Sequence, residues 1–338
     1  MRAISILALL CTGPLLAQNT VERGVDLFAR GEYAQAEKAF ADLSSPRAKA
    51  FLAMTRAALG RCADVEQHLS VAYRSAALQP ADRRLAGLAL ARCSTAAQRF
   101  ADSARTLYAL QEQFPDDADI LYETARLHLK AFNGSVEQMF QHAPASYRVN
   151  QLSAEIFEIQ GRASEAVAEY RKALEKAPPR TLNLHYRLGR ALLMESHEPA
   201  ALEAARKEFE AELALNPNDP VAEYQVAQIL QVQQKPDQAA TRLERAIELD
   251  PNFAEALIAL SRNKLDRNDA AGAIALLEKA VALAPKSESA HYSLMIAYRN
   301  AGRRDDAKRM QQRLDALQNA DGGEFNQFLQ RIGEAPQP

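Results

Sequence analysis

Prolines recur along this chain at a fixed distance, and this spacing constrains the fold more than any other feature. Pro144 and Pro178 lie 34 residues apart, and the same step separates Pro217 from Pro251 and Pro251 from Pro285. A period of this length is typical of repeat architectures, in which each unit packs mainly on its neighbours. The spacing therefore predicts an array of similar units rather than two ordinary globular domains.

Residue types also recur at fixed distances before each closing proline. In the unit that ends at Pro178, the small residues Ala154 and Ala166 lie 24 and 12 positions before it, Gly161 lies 17 before it, and Tyr170 lies eight before it. Two antiparallel helices explain this pattern, because small residues permit close approach and a turn former ends the first helix in the left-handed conformation. The proline then ends the second helix. Only 7% of the residues are aromatic, which also favours helices over sheets.

The sequence resembles the tetratricopeptide repeat in the segments Gln160–Pro178, Asp237–Pro251 and Asp269–Pro285, and in the first-helix motif Leu188-Gly189-Arg190. The resemblance implies an all-α, right-handed superhelical solenoid of about nine antiparallel helix pairs. We expect degenerate units over residues 18–143 and regular units over residues 144–320.

Two steps depart from the period. Pro178 is followed by a step of 39 residues, and we expect a longer loop between two helices at Glu195–Leu202. The step that ends at Pro144 has only 29 residues, which predicts a fourth unit with a shortened second helix and a bend at Asn133-Gly134-Ser135.

Residues 1–17 have the order of a secretory signal peptide, with the apolar run Ile4–Leu10 and a small residue, Ala17, at the predicted cleavage site. An ordinary first helix is the alternative. A lipoprotein signal at Cys11 is less favoured, because Leu10 stands where that signal has a small residue. We therefore expect an exported protein, periplasmic or extracellular.

The end of the chain combines a predicted helix and a tail. Within residues 321–333, Phe325, Phe328, Leu329 and Ile332 share one helical face, which predicts a capping helix for the open end of the array. Docking of a partner on that face is the alternative. Residues 334–338 are expected to form a loose tail.

Motifs for catalysis are missing from the sequence. It contains no HExxH metal motif, no GxSxG nucleophile elbow and no glycine-rich phosphate loop, so we expect no enzyme activity, no metal and no cofactor. The 41 basic and 43 acidic residues nearly balance, which gives no electrostatic case for a nucleic-acid partner. We also expect no transmembrane anchor in the mature chain, because no later apolar run is long enough.

Cys62 and Cys93 remain after the predicted cleavage, an even number in a compartment that permits disulfides. On the repeat pattern both lie on the turn side of adjacent units, so a disulfide between them is expected. Two buried thiols are the alternative.

The resemblance implies that the first helices line a concave groove that binds partners. The groove-facing candidates on this sequence are Gln151, Glu155, Tyr186, Arg190, Tyr224, Gln228, Ile258, Arg262 and Tyr292. A solvated surface without a partner is the alternative. Some members of this family hold a peptide carboxylate with paired Lys and Asn, but the corresponding positions here are occupied by Glu155, Arg190, Gln228 and Arg262.

These features favour a noncatalytic scaffold in the cell envelope that binds a segment of a protein partner in the groove. The alternative is an accessory envelope subunit that binds polysaccharide or peptidoglycan. It ranks second because sugar-binding surfaces favour Trp, and the chain contains none.

Overall fold

Seventeen α-helices make up the regular structure of the described part of the chain. The computed structural model describes residues 13–320, and the side chains of residues 20–317. The chain divides into two compact units, Met1–His142 and Ala143–Pro338. Within each unit, helices that follow one another in sequence pack on one another, and short turns make the neighbours antiparallel.

Unit 1 contains three helix pairs and one long final helix. The helices are α1 (Gly13–Ala29), α2 (Tyr33–Phe40), α3 (Pro46–Ala58), α4 (Cys62–Arg74), α5 (Pro80–Ala96), α6 (Phe100–Gln113) and α7 (Ala118–His142).

Unit 2 contains five helix pairs. The helices are α8 (Tyr147–Ile159), α9 (Ala163–Lys176), α10 (Leu184–Glu195), α11 (Pro199–Leu215), α12 (Pro220–Val232), α13 (Pro236–Leu249), α14 (Ala254–Asp266), α15 (Ala270–Leu283), α16 (Glu288–Asn300) and α17 (Arg304–Ala320). The described residues therefore form eight pairs and one unpaired helix, where about nine pairs were expected.

The positions predicted to pack between helices are buried. Ala154, Ala166 and Tyr170 have no exposed surface, so the small residues do allow the helices to approach and the large residue does fill the space between them. The predicted turn residues Gly161 and Asn268 have φ values of 70° and 64°, which confirms the left-handed end of the first helix. The repeat pattern thus specified the core of unit 2 correctly.

The predicted fourth unit is not a helix pair. Helix α7 continues for 25 residues through Asn133-Gly134-Ser135, where a bend was expected, and that prediction is wrong. Gly134 lies inside the helix, where a Cβ atom would stand 3.5 Å from the ring of Phe100. The glycine therefore lies opposite an aromatic ring in continuous helix and does not mark a turn.

The 39-residue step from Pro178 to Pro217 also differs from the prediction. Only three residues separate α10 from α11, so the expected long loop at Glu195–Leu202 is wrong. The additional residues lie in α11, which has 17 residues, and in the segment between α9 and α10. That segment contains Arg180 and Asn183, which adopt left-handed conformations with φ values of 66° and 70°.

Several predictions concern the two ends of the chain. Most of the predicted signal peptide precedes the described residues, and the predicted capping helix (321–333) and tail (334–338) follow them. Cleavage after Ala17 and lipidation at Cys11 stay predictions.

Candidate functional site

The predicted groove residues lie on alternate helices of unit 2, from α8 to α16. Their side chains differ in exposure. Arg190, Arg262 and Tyr292 are exposed, and the partly exposed members are Gln151, Glu155, Tyr186, Tyr224 and Gln228. The prediction that Ile258 faces the groove needs correction, because this residue is only 7% exposed and packs in the core of the last repeats. Its apolar side chain therefore serves packing and is not part of an open groove.

A cavity of about 550 Å³ brings three of these predicted residues together. Gln151 comes from α8, and Tyr186 and Arg190 come from α10. Arg148 and Arg187, which were not predicted, also line the cavity. The remaining lining residues are Thr181, Leu182 and Asn183, from the segment that holds the additional residues of the long repeat step.

The three arginines of the cavity have different partners. Arg187 lies 3.5 Å from Glu155 and 3.8 Å from Glu158, so carboxylates of α8 already balance its charge. Arg148 donates to Gln151 Oε1 at 2.7 Å and stacks over the neighbouring ring of Tyr147. Among the described residues, no carboxylate forms an ion pair with Arg148 or with Arg190. These two guanidinium groups are therefore available to a carboxylate from a ligand.

A buried carboxylate fixes the start of α10 and thereby the cavity wall. Glu212 on α11 has no exposed surface. It accepts hydrogen bonds from the backbone N–H of Asn183 at 2.7 Å and of Tyr186 at 3.3 Å. A negative charge at a helix N-terminus is favourable, because it satisfies unpaired N–H groups and the helix dipole.

Tyr186 is held by packing on its inner side. Its ring centroid lies 5.5 Å from that of Phe209, and burial raises the pKa of its phenol. The neutral phenol keeps both donor and acceptor capacity, which suits contact with a peptide backbone.

Arg262 and Tyr292 meet in a second, smaller cavity of about 350 Å³ near the end of unit 2. Arg262 donates to Ser289 Oγ at 2.8 Å, and Tyr292 is 53% exposed. Tyr224 instead packs on Phe253 with a centroid distance of 5.1 Å, and burial raises its pKa. Tyr224 and Gln228 line neither of these two cavities.

Unit 1 contains a third cavity, of about 690 Å³, that the sequence analysis missed. It is lined mainly by apolar side chains of α1, α3 and α5, including Phe28, Phe51, Met54 and Leu88. Counting back from the regular prolines identifies candidates in unit 2 alone, so the degenerate repeats of unit 1 contribute none. The apolar residues on their first helices were the available indication.

The predicted disulfide is present beside this cavity. Cys62, at the start of α4, is bonded to Cys93, near the end of α5, with an S–S distance of 2.02 Å and a Cα–Cα distance of 5.3 Å. Both cysteines contribute to the cavity wall. The bond joins two adjacent repeats of unit 1, on the turn side where it was expected.

Comparison of the sequence with family models identifies these repeats. One tetratricopeptide repeat model matches residues 152–220 and 224–288, and another matches residues 264–332. Together the matches cover slightly more than half of the chain. The chain belongs to the tetratricopeptide repeat (TPR) family. The matched segments lie in unit 2, from α8 onwards, where the proline period is regular.

Solved structures similar to this TPR chain include a crystal structure of MamA, which is 21% identical and covers 49% of this chain and 94% of that one, with a TM-score of 0.44. MamA from Desulfovibrio magneticus RS-1 is 19% identical, with coverages of 52% and 97% and a TM-score of 0.46. YrrB, described as a TPR protein with an unusual peptide-binding site, is 19% identical, with coverages of 55% and 93% and a TM-score of 0.44. No curated protein sequence matches this chain significantly.

The described part of the TPR chain offers neither a metal site nor a membrane-spanning helix. No group of three or more His, Cys, Asp or Glu side chains there could hold a metal ion. None of the helices in that part combines the length and the apolar character needed to span a bilayer.

Proposed function

We propose that this TPR protein is an exported, noncatalytic scaffold whose unit 2 binds an extended segment of a protein partner. The cavity between α8 and α10 carries this proposal, because it gathers Gln151, Tyr186 and Arg190 in one recess. TPR proteins act as protein–protein interaction scaffolds, so a peptide is the ligand class that the fold favours.

The two arginines of the cavity that have no ion pair favour an acidic partner segment. Arg148 and Arg190 can each pair with a carboxylate, and an arginine can do so through two parallel hydrogen bonds. Tyr186 adds a rigid ring that contributes contact area at a small cost in side-chain entropy. An acidic side chain between the arginines, with its backbone against Tyr186, would use all three groups.

Export is part of the proposal. The N-terminal sequence has the order of a signal peptide, and the disulfide between Cys62 and Cys93 is consistent with an oxidising compartment. Expression with the native N-terminus, followed by mass spectrometry, should give a mature chain that starts at Gln18. An intact leader on the secreted or periplasmic protein would contradict the predicted cleavage.

Peptide binding can be tested without knowledge of the natural partner. A displayed library of random peptides is selected on the full chain, and the affinity of the consensus peptide is measured by fluorescence anisotropy. We expect acidic consensus sequences, and we expect Arg190→Glu to weaken binding about tenfold or more, as loss of a charged pair does.

Arg171→Glu is the matched control, because Arg171 is an exposed arginine on the second helix α9 and should not affect affinity. Equal affinities of the wild type and Arg190→Glu would reject this cavity as the site. Binding of purified peptidoglycan by the wild type, together with failure of every peptide, would favour the envelope-polysaccharide alternative.

A further inference from the structure

Helix α7 differs from every other helix of unit 1 because it is unpaired and long. Its 25 residues extend over about 37 Å at the usual helical rise. One face packs on α5 and α6, where Ile120 and Leu127 are buried. Gly134 lies on the same side of the helix and faces Phe100. This face accounts for the position of α7 in unit 1.

The opposite face of α7 is apolar and open to solvent. Leu129 is 62% exposed, Tyr122 61%, Phe132 46%, Phe140 46% and Leu121 42%. An α-helix turns by about 100° per residue, so around the helix axis these five side chains lie within an arc of about 100°. This arc is roughly opposite the buried face. Scattered apolar residues are normal on a protein surface, but a contiguous apolar stripe along a helix is typical of an interaction site.

The order of the stripe is symmetric about the middle of the helix. Six apolar residues along the stripe are separated by four, four, three, four and four positions: Leu121, Ala125, Leu129, Phe132, Val136 and Phe140. A second α7 laid antiparallel on the first therefore meets apolar residues along the whole stripe. The opposed pairs are Leu121 with Phe140, Ala125 with Val136, and Leu129 with Phe132.

We propose that the exposed stripe of α7 is the interface with a second copy of this chain. The two helices pair antiparallel, and a two-fold axis passes between Lys130 and Ala131. Such an axis makes the interface isologous, so each contact occurs twice. The proposal is independent of the peptide-binding cavity in unit 2.

Charges beside the stripe complement each other in the same arrangement. Arg126 and Glu137 lie on the same flank of the stripe, where Arg126 contacts Glu123 of its own helix at 3.3 Å and Glu137 accepts from Gln141 at 3.0 Å. Antiparallel pairing also brings Arg126 of one copy near Glu137 of the other. The two-fold axis produces this pair twice.

The area of the stripe is sufficient for a weak but specific dimer. The exposed parts of Tyr122, Phe132 and Phe140 amount to about 300 Å² per copy, taking about 200 Å² for a whole aromatic side chain. With Leu121 and Leu129, full burial of the stripe removes about 1,000 Å² over two copies, the lower limit for biological interfaces. Interfaces of this size are typical of weak, transient complexes, so we expect a dimer that dissociates on dilution.

Sedimentation equilibrium of the full chain tests the interface. The wild type should pass from monomer to dimer as its concentration rises to about 100 micromolar. Leu129→Glu should weaken the dimer about 30-fold or more, because it places a charge at the centre of the interface. Its helical circular dichroism should be unchanged, since Leu129 is exposed. Val232→Glu, at an apolar residue of α12 that is 65% exposed, is the control and should dimerise as the wild type does.

Cross-linking tests the antiparallel register. Chains with Leu121→Cys should form disulfide-linked dimers when mixed with chains carrying Phe140→Cys, but not on their own, because like positions lie about 28 Å apart along the helix. Self-cross-linking of Leu121→Cys would reject this register. A chain that stays monomeric, or a dimer that Leu129→Glu leaves unaffected, would overturn the proposal.

Discussion

Reduction of the disulfide should destabilise unit 1 and leave unit 2 intact. The bond joins residues that are 31 positions apart in the sequence, so it closes a loop that includes most of α4 and α5. A cross-link removes conformational entropy from the unfolded chain, and a loop of this length corresponds to about 3.7 kcal/mol at 25 °C. Single domains have free energies of unfolding of about 5–15 kcal/mol, so this loss is large.

The expected loss converts into a measurable change in urea. With a denaturant slope of about 2 kcal/mol per molar, the unfolding midpoint of unit 1 should fall by about 1.8 M. Hydrogen exchange followed by mass spectrometry can resolve this in the full chain, because peptides from α3, α4 and α5 report on unit 1. Unit 2 contains no cysteine, so its peptides provide an internal control.

Chemical reduction of the disulfide and replacement of both cysteines should have the same effect on unit 1. The wild type in reductant and the double variant Cys62→Ser with Cys93→Ala should show the same loss of protection in unit 1. A midpoint change below about 0.5 M would refute the entropic account, because it corresponds to only about 1 kcal/mol. Titratable thiols at Cys62 and Cys93 in the exported, unfolded protein would show that the bond is not formed.

The remaining predictions concern unit 2 and α7. Glu212→Ala should cost about 3 kcal/mol in urea unfolding, because two backbone N–H groups at the start of α10 lose a charged acceptor. Gly189→Ala should cost about 1–3 kcal/mol, since its Cβ would stand 2.8 Å from a buried aromatic ring. Gly134→Ala should instead raise the melting temperature, because alanine stabilises a helix interior by about 0.5–1 kcal/mol relative to glycine. The hydrogen bond to Glu208, at 2.7 Å, raises the pKa of His185. The contribution of His185 to the free energy of unfolding is therefore complete below about pH 6.5, and it is lost as the pH rises through the folded-state pKa of His185. The urea midpoints of the wild type and His185→Gln should differ at pH 5.5 and converge at high pH.

The sequence determined the regular part of the fold because the packing positions repeat. Ala154 and Ala166 have counterparts at the same offsets in later repeats, so one helix pair specified the others. Prediction from the repeat pattern fails at Gly134, because a single sequence does not distinguish a glycine inside a helix from a glycine at a turn. The backbone of α7 is decided by its packing on Phe100 and its other neighbours, which the local pattern does not contain.

The candidate site was predictable only in part for a related reason. An offset from a proline places a residue on a helix face, but it does not define how deeply that face is covered. Arg190 and Ile258 were both chosen by the repeat pattern, and only the first is open to solvent. The repeat pattern selects Gln151 and Tyr186 but not their neighbours Arg148 and Arg187, which lie three positions and one position away from them. Asn183 belongs to an insertion that the 34-residue period does not describe.

The packing of each helix on its sequence neighbours has a consequence for how this protein folds and evolves. Contacts between residues close in sequence form quickly, because little chain entropy is lost before they are made. A helix pair can therefore become ordered at several places along a unit and extend from there. Duplication or loss of a whole pair disturbs only two neighbours, so the length of such an array can change through evolution while the surviving pairs keep their packing.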